Sequence, residues 1–294
     1  MSIKLASVAG ICADGKRKNN EDFIYPDPAT VGLEQRRFIV CDGVGGSLAG
    51  EVASRLTATA MDTYLTQLDT ETYSATDLQT ALITAQNELS AYVKQQPAAQ
   101  DLATTITILQ IQTDRVLVGH VGDSRIYQLR AGEIIFKTAD HSLVNELLSE
   151  GLISPSQAAT HPQRNVITRA VQTLEAGKVE LEIHQISDVQ KDDYFLLCTD
   201  GILEGFTELA LQRLFADSTQ NAQTIIDLLR AECDQFAQDN FSAYVLQIAS
   251  ATASKQPQNE SAINVFARPL PLLPLIILFL VGLFLFGHFF CNQI

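Results

Sequence analysis

Apolar and polar positions change period several times along the chain, and each change predicts an element. Leu5 to Ala13 is apolar and small-residued until Asp14-Gly15-Lys16-Arg17 interrupts it. It reads as a first strand, not a secretion signal. Phe38-Ile39-Val40-Cys41 reads as a buried strand that delivers Asp42 to its end, with glycines following at once. From Leu48 to Leu68, Val52, Leu56, Ala60 and Tyr64 recur at helical spacing, with Met61, Leu65 and Leu68 beside them. A second helix is predicted from Asp77, as N-cap, to Lys94, with Leu78, Leu82, Ala85, Leu89 and Val93 on one face. Four strands then follow as an expected antiparallel meander: Thr104–Leu109, Val116–Val118, Ile126–Leu129 and Ile134–Phe136. Ser142–Glu150 is a short helix ended by Gly151, and Ser154–Asn165 is irregular. Val179–Ile183 alternates as a half-buried strand, and Tyr194–Cys198 is a second apolar run. Asn221–Gln238 is helical, and Phe241–Ile248 is the last strand. Helices flanking antiparallel strands indicate an α+β domain over residues 1–249.

The remainder has a different character. Residues 250–268 form a polar linker, and 269–291 contain no charged side chain, only His288. That stretch matches the ~20 apolar residues that span a bilayer, so it is expected to be a transmembrane helix. Lys255 and Arg268 precede it and no Lys or Arg follows, which orients residues 1–249 toward the cytoplasm of a single-pass membrane protein. The net charge of −14, without a basic stripe, excludes nucleic acid as a partner. The five cysteines show no paired metal-type spacing, which fits free thiols in a reducing compartment.

The candidate chemistry lies in acids at strand ends. Asp42-Gly43 and Asp200-Gly201 each close an apolar run; Asn20-Glu21-Asp22 precedes the first of these and Asp239-Asn240 opens the last strand. Acids so far apart in sequence suggest one shared oxygen-ligand site. Such ligands suit Mg²⁺ or Mn²⁺ better than zinc, which favours His and Cys. Two ions roughly 3.5–4 Å apart, bridged by one acid, would suit in-line displacement at phosphorus.

In order, Arg17-Lys18-Asn19-Asn20-Glu21-Asp22, Asp42-Gly43-Val44-Gly45-Gly46, Gly50-Glu51-Val52-Ala53-Ser54, Ala103-Thr104-Thr105, Val121-Gly122-Asp123-Ser124-Arg125, Cys198-Thr199-Asp200-Gly201 and Asp239-Asn240-Phe241-Ser242 resemble the motifs of the metal-dependent Ser/Thr protein phosphatases, the type 2C family. The resemblance implies a four-layer α-β-β-α sandwich, two antiparallel sheets face to face with helices outside. It implies Mn²⁺ or Mg²⁺ at one end, two ions with a third near Asp123. Asp42 would bridge two ions, Glu21 and the Gly43 carbonyl would hold one of them, and Asp200 and Asp239 the other. Asp200 would be shared with the third ion. Asp22 would position the attacking water and Arg17 would grip the substrate phosphate. His141 to Arg169 resembles a mobile flap, with His141, Ser142, Asn165 and Arg169 as substrate contacts or local caps. Val44 stands where some eukaryotic relatives carry a His proposed as general acid. Ala103 and Gln172 stand where Gly is usual. The partners implied are phosphorylated proteins, among them a Ser/Thr kinase whose action the enzyme reverses, and the enzyme itself is expected to be a monomer. Two rival readings are a phosphoprotein-binding pseudophosphatase and a regulatory phosphatase of a sigma-factor pathway.

Overall fold

The computed structural model of the protein describes residues 2–44, 48–68, 70 and 72–251. These belong to the first of two units, Met1–Ala262 and Ile263–Ile294. Most of the predicted linker and the whole predicted span, 269–291, lie outside the described residues. Among the described residues, no helix is long and apolar enough to cross a membrane.

The chain begins with β1 (Lys4–Ala13), β2 (Asp22–Tyr25) and β3 (Arg37–Val44), then α1 (Leu48–Gln67) and α2 (Ala75–Gln95). Five strands follow: β4 (Ala103–Thr104), β5 (Ile106–Ile111), β6 (Val116–Val121), β7 (Arg125–Arg130) and β8 (Glu133–Lys137). After α3 (Leu143–Ser149) and α4 (Pro155–Ala159) come β9 (Glu182–Ile186) and β10 (Tyr194–Cys198). Three helices, α5 (Asp200–Gly205), α6 (Glu208–Leu214) and α7 (Ala222–Phe236), lead to β11 (Phe241–Ser250). One antiparallel sheet has the order β1-β11-β10-β7-β8; the other runs β2-β3-β5-β6-β9, with β4 also on β3.

Period-two alternation sorts the strand side chains into three cores. Phe38 and Val40 of β3, Leu109 and Ile111 of β5, Phe195 and Leu197 of β10, and Tyr244, Leu246 and Ile248 of β11 meet between the sheets. Ile39 and Cys41 point the other way, onto Met61 and Leu65 of α1 and Leu78, Leu82 and Leu89 of α2. Tyr194, Leu196 and Cys198 likewise turn outward onto Leu211 of α6 and Ile225, Leu229 and Cys233 of α7. The α+β, two-sheet architecture is therefore as expected.

Several local expectations are corrected. The predicted meander is divided between the sheets: β5 and β6 pair in one, β7 and β8 in the other. The crossing is Gly122-Asp123-Ser124, which puts Asp123 on the connection from one sheet to the other. Helix α2 is capped by Ser74, not Asp77. Asp77 is the third residue of a capping box, its carboxylate accepting from the Ser74 N–H at 2.8 Å while its own N–H donates to Ser74 Oγ at 3.2 Å. The strand expected at Val179–Ile183 begins only at Glu182. The Val179 and Leu181 amides instead donate to Gln86 Oε1 and Gln79 Oε1, so two helix glutamines act as the strand neighbour.

Candidate active site

The inter-sheet face continues past its apolar residues into polar ones of the same parity. On β3, Phe38 and Val40 are followed by Asp42; on β2, Ile24 is preceded by Asp22. Antiparallel register sets Asp22 directly opposite Asp42. Like charges so placed repel, so the pairing costs stability unless something else is gained there. On β10, Phe195 and Leu197 lead to Thr199; on β11, Tyr244 is preceded by Ser242 and Asn240.

Thr199 precedes α5 yet makes no side-chain cap. Its hydroxyl accepts from the Ser242 N–H at 3.0 Å and donates to Asp22 Oδ2 at 3.0 Å. Asp22 is buried, and its other oxygen, Oδ1, has no hydrogen-bond partner. The Asp42 backbone is held just as firmly. Its N–H donates to Thr105 Oγ1 at 3.0 Å, and its carbonyl accepts from the Thr105 N–H and from Thr104 Oγ1, both at 2.8 Å. Thr105 Oγ1 is 2.7 Å from the buried Ser124 hydroxyl, which links the crossing loop to Asp42.

Asn240 fastens the first loop to β11. Its Oδ1 accepts from the Glu21 N–H at 2.9 Å, and its Nδ2 donates to the carbonyls of Asp14 (2.8 Å) and Asn19 (2.9 Å). Glu21 in turn lies beside Gly43, whose N–H donates to the Glu21 carbonyl at 3.0 Å. A Cβ at Gly50 would sit 2.9 Å from both a Glu21 carboxylate oxygen and the Gly43 carbonyl oxygen. Only glycine leaves that oxygen-lined space open. Gly201 serves α5 similarly, since a Cβ there would stand 2.0 Å from the Asn240 carbonyl oxygen.

The carboxylates sense one another. Burial, with the charges of Asp200 and Asp239, pushes Asp22 up to about 7. Burial, with Asp22, Asp200, Asp123 and Asp239, raises Asp42 well above the usual carboxylate range. Burial also takes Asp123 to about 7, with Asp200 and Asp140 adding to it. Asp200 is raised by burial and then by Asp239. A converging set of carboxylates, an unpartnered buried oxygen and a glycine-kept space between Glu21 and the Gly43 carbonyl fit hard divalent cations.

Arg17, expected to grip the substrate phosphate, has its Nη2 2.6 Å from Asp239 Oδ2 in a largely exposed pair. Of the flap candidates, His141 is buried, with Nδ1 accepting from the Gly122 N–H and Nε2 3.0 Å from Glu182 Oε2. It serves the scaffold, not a substrate. Ser142 is the cap of α3, while Asn165 and Arg169 are exposed. Arg125 grips Asp140 through two bonds of 2.7 and 2.6 Å and so anchors the flap's start. Sequence reasoning assigns no role to Ser124, Thr199 and Asn240, although each stands beside a motif acid. The only sequence signal for them was their strand parity beside the acids.

Residues 15–236 match the family described as Protein phosphatase 2C. The Ser/Thr protein phosphatase PstP of Mycobacterium tuberculosis is 33% identical over 217 residues, which cover 72% of this chain. Protein phosphatase PhpP of Streptococcus pneumoniae is 31% identical over 190 residues, 64% of this chain and 74% of that protein. The matched part spans only 39% of the length of the mycobacterial relative. The crystal structure of PstP superposes with a TM-score of 0.69 at 29% identity, covering 84% of this chain and 99% of that one. The PstP catalytic domain in complex with two manganese ions gives 0.63 at 28% identity, over 85% of this chain and all of that chain. The fold and the carboxylate cluster define a type 2C phosphatase domain. This chain belongs to the protein phosphatase 2C family.

Proposed function

We propose that the protein is a metal-dependent protein Ser/Thr phosphatase. The observation that carries this reading is the convergence of Asp22, Asp42, Asp123 and Asp200, each raised by burial and then by neighbouring carboxylates, with Asp239 among the charges that raise Asp22, Asp42 and Asp200. Glu21, the Gly43 carbonyl and Asp42 would hold one Mn²⁺ or Mg²⁺; Asp42, Asp200 and Asp239 a second; Asp123 with Asp200 a third. When bound, the ions supply charge neutralisation, an acidified nucleophilic water and a clamp on the phosphoryl oxygens. The chain supplies the orientation. Thr199 fixes the Asp22 carboxylate through Oδ2 and leaves Oδ1 without a protein partner, so Asp22 would position the water that attacks phosphorus. The exposed fork of Arg17, moving from or sharing Asp239, would hold the phosphoryl group of a phosphoserine or phosphothreonine. With Val44 where a histidine could stand, the departing serine or threonine oxygen takes its proton from solvent. Hydrolysis of p-nitrophenyl phosphate by the protein, with Mn²⁺ or Mg²⁺ and in chelator, tests this. Full activity in chelator would overturn it.

Phosphorylated proteins, among them a Ser/Thr kinase, are the partners this chemistry would serve. The apolar stretch 269–291 supports a C-terminal single-pass anchor, with Lys255 and Arg268 keeping residues 1–249 on the cytoplasmic side. Full-length protein should then need detergent for extraction, while a chain ending at Ser261 should be soluble and active. Extraction of the full-length protein by carbonate would refute the anchor.

A further inference from the structure

A second polar cluster, different in chemistry from the acids, lies on the inter-sheet parity of β6 and β9. His120 of β6 shares the inter-sheet parity of Val116 and Val118, and Glu182 and His184 of β9 share that of Ile186. Register sets His120 opposite Glu182 and Val118 opposite His184. One donor atom from each of His120, Glu182 and His184 lies within 4.8 Å of the other two. His120 is fully buried, and its Nε2 donates to the Ala139 carbonyl at 2.8 Å. Its Nδ1 therefore carries a lone pair, and that buried atom has no hydrogen-bond partner. An unpartnered buried acceptor is costly, and a bound ion is one reason to keep one.

We propose that His120, Glu182 and His184 form a site for a zinc-type transition-metal cation, separate from the oxygen-ligand centre. Two imidazoles and one carboxylate with a fourth position open to water is a donor set zinc accepts, whereas Mg²⁺ prefers all-oxygen ligands. Several features prepare the site. The His120 ring is stacked on His141 at 4.6 Å and 10°, which fixes its plane. Burial holds His120 neutral, down to about 4, so the lone pair stays available. The Ala139 carbonyl fixes its tautomer, as outer partners of metal-binding histidines do. Glu182 divides its oxygens, Oε2 at 3.0 Å from His141 Nε2 and Oε1 at 3.0 Å from His184 Nε2. A cation would replace the hydrogen bond between His184 and Oε1 and leave the one to His141 in place. The displaced His184 Nε2 proton passes through solvent to Nδ1 of the same ring, which stays neutral. Metal–ligand bonds near 2.0–2.2 Å require the donors to close by on the order of 1 Å. Glu182 and His184, 38% and 25% exposed, are free to make that adjustment.

Titration calorimetry of the full-length chain with Zn²⁺, in excess Mg²⁺ to occupy the acidic centre, tests the site. Zinc should bind, and His184→Ala should weaken it by at least about tenfold, the loss that removing even an outer-shell partner brings. Glu182→Gln, which keeps the shape and can still accept from His141, should weaken it likewise, so a folding failure of one variant does not decide the matter. Asp42→Asn/Asp200→Asn should retain it. X-ray absorption at the zinc edge should show imidazole scattering in the wild type that diminishes in His184→Ala. Zinc binding unchanged in both cluster variants, or lost only with the acidic-centre variant, would overturn the proposal.

Discussion

Replacing Asp22 by Asn should stabilise the metal-free protein while removing its activity. The folded state buries the Asp22 carboxyl opposite Asp42 and holds it up to about 7, against 3.8 for the free side chain. The folded state thus binds more protons than the unfolded one between those values. Stability therefore falls as pH rises through that window and is lowest above it. A shift of about 3 units corresponds to about 4 kcal/mol as an upper bound. Because Asp42 lies directly opposite and its carboxyl is raised as well, the release on removing one charge is smaller, about 2 kcal/mol. Asn keeps the shape, and its Oδ1 can still accept from Thr199 Oγ1. For a domain of this size, that is a rise in Tm of about 4–8 °C. The assay is thermal unfolding in chelator at pH 8 and pH 5, wild type beside Asp22→Asn. The variant should be more stable at pH 8, and the gap should shrink toward pH 5, where the wild-type carboxyl is already protonated. Equal Tm values at pH 8, or a gap independent of pH, would refute the argument that the carboxylates store strain in the empty fold.

Arg17→Ala should change stability by no more than about 1 kcal/mol, because its pair with Asp239 is exposed. Its effect should be a raised KM toward a phosphopeptide with kcat less altered, measured by initial rates. Asn240→Ala removes three hydrogen bonds that fasten Asp14, Asn19 and Glu21 to β11. It should destabilise by about 1–2 kcal/mol, since three part-buried backbone groups lose their partner. It should also weaken Mn²⁺ binding by calorimetry, because Glu21 is no longer placed.

Much of this site was legible in the sequence because it sits where periodic apolar runs end. Phe38–Cys41 and Tyr194–Cys198 announce their strands, and the acids beyond them inherit the strand's facing. The sheet assignment of the middle strands was less legible. Short antiparallel runs with tight turns look alike whether they stay in one sheet or cross, and only the long-range pairing of β6 with β9 and of β7 with β10 separates them. The early start assigned to the strand at Val179 had a physical cause too. Its alternation is real, but Gln79 and Gln86 of a distant helix satisfy those amides. The motif offered Arg17 as a candidate phosphate ligand, while its pairing with Asp239 depends on a contact across the whole chain. The His120–Glu182–His184 cluster left no signal, because its members come from two strands far apart in sequence.

The central claim is that these carboxylates act together as one cation-dependent phosphoryl-transfer site. Its most direct test is hydrolysis of a phosphothreonine peptide by wild type, Asp42→Asn and Asp200→Asn, each with Mn²⁺ and in chelator, with circular dichroism to confirm the fold. The account predicts turnover by wild type only with the cation, and a fall of about 10³-fold or more in kcat, about 4 kcal/mol, in either folded variant. Wild-type turnover in chelator, or near-wild-type kcat in folded Asp42→Asn, would contradict it.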